Sequence, residues 1–173
     1  MKSIILLLSL LSLATIAADN FTIYLVRHAE KQANSPDPTL TVCGVKRAQQ
    51  LANILAKAQV KAIYSSNYKR TLATAAPLAI QNKLVVNKYD PRDLPTLMTK
   101  LIQANENALV VGHSNTTPQL AALLTNKKIS TTKNGEQWLK PLNEDDYQML
   151  YQIQFNDNRA NLTVLQQPLS CNN

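Results

Sequence analysis

The sequence predicts an α/β domain: a three-layer α/β/α sandwich with helices on both faces of a mostly parallel sheet. Strand-like and helix-like segments alternate four times along the chain, an order that calls for a parallel sheet covered on both sides. Ala108 to Val111, ALVV, reads as a buried strand within that sheet. The only two histidines, His28 and His113, each fall just past the end of a strand. That rim, at the carboxyl ends of the strands, is where open α/β sheets build their sites.

Each element has its own signal. The chain opens MKSIILLLSLLSLATIAADN: one basic residue, an apolar stretch, then small residues around Ala17 and Ala18. This is the three-part pattern of a cleavable secretory leader over residues 1–18, and the apolar run is short for a membrane span. The remaining 19–173 read as one domain. Residues 21–27 are aromatic and β-branched, a strand. QANSPDPTL, 32–40, is a loop. Thr41 suits an N-cap, with Val45, Ala48, Leu51, Ala52, Leu55 and Ala56 at helical spacing behind it. Lys61 to Tyr64 form a short strand, and Ser65-Ser66-Asn67 cap a second helix that Pro77 kinks or shortens. Leu84 to Val86 form a third strand and Leu94 to Ala104 a third helix. A fourth helix starts at Thr117-Pro118. The polar stretch 125–145 shows no pattern that orders it. Two closing strands follow, Tyr147 to Phe155 and Asn161 to Leu165, joined by a turn at Asn156-Asp157-Asn158.

Composition narrows the function. The formal charge is +7, which favours anionic partners. No nucleic-acid motif accompanies it, so the expected partner is a small anionic substrate or an anionic envelope surface. No stable membrane insertion is expected once the leader is removed. Two cysteines, Cys43 and Cys171, permit one disulfide in an exported chain. The sequons at Asn20, Asn115 and Asn161 are read as chance, because a glycan on Asn115 would sit beside the expected site.

Arg27 precedes the first histidine, and Arg70 opens the second helix. Two cations and two imidazoles converging on one rim suit a phosphoryl group, whose oxygens need several donors and which arginine engages bidentately. With only three glycines there is no glycine-rich phosphate loop. Cys43 lacks the arginine six residues on that a cysteine-phosphatase loop needs, and two histidines without clustered carboxylates make a poor metal site. What remains is a histidine nucleophile: a neutral imidazole attacks phosphorus, and water hydrolyses the phosphohistidine.

The residues Leu25-Val26-Arg27-His28-Ala29-Glu30 resemble the signature of the histidine phosphatase superfamily, also called phosphoglycerate mutase-like. The resemblance continues in family order through Leu40-Thr41-x-x-Gly44-x-x-Arg47-Ala48, Tyr64-Ser65-Ser66-x-x-x-Arg70-Thr71-x-x-Thr74-Ala75 and Val110-Val111-Gly112-His113-Ser114-Asn115. It implies a phosphoglycerate mutase-like fold, His28 as the phosphorylated nucleophile, and Arg27, Arg70 and His113 as the phosphate pocket, with no metal and no cofactor. Asn115 and Asn34 are further substrate-binding candidates. Ala29 stands where many members have glycine. The general acid is open: Ser114 follows His113 where some members carry the acid. Asp90 is the candidate between Arg70 and His113, with Asp93 and Glu30 as rivals. The expected activity is hydrolysis of a phosphomonoester or related phosphoryl compound. A phosphomutase and a non-catalytic binder of phosphorylated envelope components are the alternatives.

Overall fold

The computed structural model describes residues 20–33, 35–126, 140–157 and 159–169. The leader 1–18, Asn34 and Cys171 lie outside the described residues. Among those described, six strands form one sheet: β1 (Phe21–Arg27), β2 (Ala62–Ser66), β3 (Val86–Tyr89), β4 (Ala108–Gly112), β5 (Met149–Asn156) and β6 (Arg159–Gln166). The order across it is β3-β2-β4-β1-β5-β6. The pairs β3–β2, β2–β4 and β4–β1 are parallel, and β1–β5 and β5–β6 are antiparallel. Four helices, α1 (Val42–Ile54), α2 (Lys69–Asn82), α3 (Leu94–Ala104) and α4 (Thr116–Leu124), cover the two faces. The sandwich and its mostly parallel sheet are as the sequence predicts.

Alternation along the strands sorts the core into two halves. Ile23, Leu25, Tyr64 and Val110 pack with Leu97, Leu101 and Leu120 of α3 and α4. Val26, Ile63, Leu109 and Val111 pack with Leu51, Ala75 and Leu78 of α1 and α2. Central strands are apolar on both sides for this reason. Each fully buried Ile, Leu or Val stabilises the fold by about 1.5–3 kcal/mol.

Several details differ from the pattern-based expectation, among them the start of β5 at Met149 and not Tyr147. β3 begins at Val86, not Leu84. Its register follows pairing with β2, Ile63 opposite Val86, while Leu84 N donates to Ala79 O and closes α2. Val85 is left exposed on the edge, so the apolar run LVV marks a helix exit as much as a strand. Ser65 and Ser66 belong to β2 and are fully buried. They do not cap α2; Asp37 of the preceding loop accepts from Lys69 N at 3.0 Å instead. Pro77 sits inside α2, which runs on to Asn82. α4 starts at Thr116, so Pro118 is its third residue; Thr117 N already bonds His113 O. The cap on α1 is as read, with Thr41 Oγ1 accepting from Gly44 N at 3.0 Å.

The topology creates the site. β1 and β4 are neighbours, but the helices that follow them lie on opposite faces, α1 with α2 and α4 with α3. Chains parting to opposite faces leave a crevice at the strand ends.

Candidate active site

Parallel pairing of β1 and β4 brings Arg27 opposite Gly112. One residue further, His28 and His113 stand side by side at the crevice, ring centroids 5.7 Å apart. His28 N donates to Gly112 O at 2.9 Å, which carries the ladder one step past β1. A cavity of about 360 Å³ opens here, lined by His28, Lys31, Tyr68, Arg70, His113, Ser114, Asn115 and Glu144 among others.

His28 is buried, and its Nδ1 lies 2.9 Å from Ala29 O. A carbonyl only accepts, so Nδ1 carries the proton and Nε2 keeps its lone pair. Burial, with the nearby Arg27 and Arg70 cations, lowers the imidazole's pKa from its ordinary value to about 3. The ring is therefore neutral at pH 7, with its nucleophilic nitrogen unprotonated.

His113 is oriented by a chain of hydroxyls. Arg70 Nη2 is 3.5 Å from His113 Nδ1, which makes Nδ1 an acceptor and Nε2–H the donor to Ser66 Oγ at 2.9 Å. Ser66 Oγ donates to Thr71 Oγ1 at 3.1 Å, and Thr71 Oγ1 donates to Ser66 O at 2.7 Å. Burial and the Arg70 and Arg27 charges lower this imidazole's pKa to about 4. Thr116 Oγ1 accepts from His113 N at 2.9 Å. A Cβ at Gly112 would stand 2.8 Å from that hydroxyl, so glycine here lets Thr116 hold the loop. Gly44 likewise makes room for the Glu30 carbonyl.

The two arginines are held differently. Arg27 is buried; its Nη1 donates to Asn143 O at 2.6 Å and Glu144 O at 2.9 Å, and its guanidinium lies 4.2 Å from the Tyr147 ring centre. Arg70 stacks on Tyr68 at 4.5 Å and meets Asp37 at 3.6 Å. The Nε of each is buried without a hydrogen-bond partner. Unsatisfied buried donors are costly. Both guanidinium groups thus retain unused hydrogen-bonding capacity beside the two imidazoles.

The carboxylates are placed otherwise than the sequence suggests. Asp90 accepts from Arg92 N, Nε and Nη2 at 2.9–3.0 Å. Those bonds to Arg92 depress its carboxyl to about 2. It is ionised at neutral pH and is not among the residues lining the cavity, so the geometry does not support it as the acid. Asp93 caps α3, accepting from Thr96 N at 3.2 Å. Glu30 is bound through both oxygens to Arg47, Nη2 to Oε1 at 2.6 Å and Nε to Oε2 at 3.0 Å. Asn115 lines the cavity and makes no side-chain cap to α4. Asn34 lies outside the described residues. Glu144, from the polar stretch that gave no pattern, does line the cavity. Nothing in its local sequence marks it; its Arg27 partner is 117 residues away. Among the described residues, no group of three or more His, Cys, Asp or Glu is arranged to hold a metal ion. Cys43 is disulfide-bonded, and the chain's other cysteine, Cys171, lies outside the described residues.

Two histidines and two arginines thus come together at the ends of parallel strands in an α/β sandwich. Residues 23–92 match the histidine phosphatase superfamily (branch 1). Phosphoserine phosphatase 1 of Hydrogenobacter thermophilus is 41% identical over 73 residues; the match covers 38% of this chain and 35% of that protein. Two solved structures share the fold. The alpha-ribazole phosphatase of Shigella flexneri superposes with a TM-score of 0.64 at 17% identity, covering 88% of this chain and all of that one. A mycobacterial glucosyl-3-phosphoglycerate phosphatase with inorganic phosphate gives 0.64 at 15% identity, covering 86% and 97%.

The two lowered histidine pKa values make stability depend on pH. Both imidazoles are held neutral below their unfolded value near 6.5. The unfolded chain binds more protons between about pH 6.5 and 4, so stability rises with pH there and is lost as pH falls through that window. Denaturant midpoints measured from pH 7 to 4.5 should fall, and the slope should be shallower in His28→Gln. Equal slopes would contradict the burial argument.

Proposed function

We propose that the protein is a phosphatase that hydrolyses a small phosphomonoester through a phosphohistidine on His28. One observation carries this reading: His28 Nδ1 is committed to Ala29 O, leaving the Nε2 lone pair beside two arginines with spare donors. Nε2 attacks phosphorus while the arginines take the non-bridging oxygens, whose charge needs preorganised donors. His113 donates to the phosphoryl oxygens once its Nδ1 gains a proton. A bound anion offsets the arginine charges that, with burial, keep this imidazole neutral. Water then hydrolyses the phosphohistidine.

The charge stabilisation comes from arginine and histidine, so the reaction requires no metal or cofactor. Lys31 lines both the phosphoryl cavity and a larger polar cleft of about 1030 Å³ with Arg47, Tyr147 and Gln167. That cleft has room for a polar leaving group. The protein acts outside the cytoplasm, a proposal supported by the leader-like residues 1–18 and the disulfide-bonded Cys43. The test is turnover of 4-nitrophenyl phosphate by the mature protein with and without a chelator. Undiminished turnover with chelator is expected. Chelator-sensitive turnover would refute the metal-free mechanism, and phosphate binding without turnover would favour a non-catalytic binder. Phosphoryl transfer between two positions of one substrate, without release of phosphate, would favour a mutase.

A further inference from the structure

We propose that Glu144 is the acid–base group of this site, protonating the leaving oxygen and then accepting the proton of the attacking water. This rests on the phosphatase reading above and names a residue outside the segments that resemble the superfamily.

Three observations carry it. First, Glu144 is the only carboxylate among the described residues that lines the phosphoryl cavity. The others nearby are committed elsewhere: Glu30 to Arg47, Asp90 to Arg92, Asp93 to the α3 cap, and Asp37 to Lys69 N and Arg70. Second, the main chain of Glu144 is anchored while its side chain is free to turn. Its carbonyl accepts from Arg27 Nη1 at 2.9 Å, yet its side chain is 80% exposed and touches Arg27 Nη2 at 3.4 Å. Third, the segment is tied to the loop after β4, because Leu142 N donates to Ser114 O at 2.9 Å. The carboxylate therefore stands at the mouth of the cavity, paired with Arg27.

Substrate binding readies this group. A phosphoryl oxygen that takes Arg27 Nη2 displaces the exposed carboxylate from its cation and lets it turn to the leaving oxygen. As His28 Nε2 forms its bond to phosphorus, the bond from phosphorus to the bridging oxygen breaks. The Glu144 proton goes to that oxygen, which leaves as an alcohol. In the second half, a water oxygen bonds phosphorus, the N–P bond electrons return to Nε2, and the water proton goes to Glu144. Hydrogen phosphate leaves, and both residues regain their starting states.

The test compares Glu144→Gln with wild type on an alkyl phosphate and on 4-nitrophenyl phosphate, whose leaving group hardly needs a proton. Glutamine keeps the backbone carbonyl on Arg27 and, on an exposed side chain, leaves folding intact. The alkyl substrate should turn over about 100-fold more slowly, the usual scale for a general acid. With nitrophenyl phosphate, release of about one equivalent of nitrophenol should precede slow turnover, with alkali-stable phosphate accumulating on His28. Unchanged rates on both substrates, or equal losses on both with no burst, would overturn the assignment. Trapping of phosphohistidine in wild type tests the phosphatase chemistry separately: if wild type traps phosphate on His28 while Glu144→Gln is unchanged, only the Glu144 proposal falls.

Discussion

His28→Ala will abolish turnover without unfolding the protein. The imidazole supplies the bond-forming atom, the Nε2 lone pair. Nε2 is aprotic because Nδ1–H is spent on Ala29 O, and burial with two flanking guanidinium groups keeps the ring neutral down to about pH 3. Loss of a nucleophile commonly costs several orders of magnitude, so residual activity should be below about 0.1% of wild type. Wild type quenched in alkali during turnover should carry phosphate on His28 by mass spectrometry, because a phosphoramidate survives base. Phosphate on Ser66 or Ser114 would refute the nucleophile. Ser66 is an unpromising rival: it is fully buried, and its hydroxyl is already engaged by His113 and Thr71. Circular dichroism should show His28→Ala folded, since the residue ends a strand whose ladder bonds are backbone bonds.

Replacing Arg27 should have the second largest effect. The Arg27 charge acts on both imidazoles; its Nε is buried without a partner, while its Nη1 ties down the carbonyls of Asn143 and Glu144. Arg27→Ala removes a charged donor at the transferring group, a loss of about 10²–10³ in kcat by analogy with other transition-state donors. It also releases the 143–144 turn. Arg27→Lys restores one positive charge but not a planar fork that spans phosphate and two carbonyls. It should recover only a minor part of the rate. Full recovery with lysine would show that charge alone is needed and that the bidentate geometry is not. Thermal melts separate this from instability, since Arg27 is buried against Tyr147.

Which parts of this arrangement are visible in the sequence follows from how local their causes are. β1 and β4 are legible because central strands must be apolar on both faces, as Leu25 and Val26 make β1 and Val110 and Val111 make β4. The start of α1 is legible because Thr41 caps it from three residues away. His28 and His113 are legible as rim residues because each follows such a strand. β3 is misplaced because an edge strand is half solvated, so apolar composition does not set its register; hydrogen bonding to β2 does. Ser66 has the composition of a cap, yet its hydroxyl is claimed by His113 from 47 residues away.

The carboxylates mark the same boundary more sharply. By order along the chain Asp90 stands between Arg70 and His113 and suits the acid, but Arg92, two residues on, captures it through a turn. Glu144 lies in a stretch without periodicity, and only closure of the sheet carries it to Arg27. The sequence by itself determined the alternating elements, the two histidines at strand ends and the arginines beside them, because hydrogen bonding and burial within one element depend on neighbours in the chain. The tertiary structure alone decided which serine orients His113, which aspartate caps α2 and which carboxylate lines the cavity beside the two histidines. Those are contacts between distant segments, made by strand order and register, and no local pattern of residues encodes them.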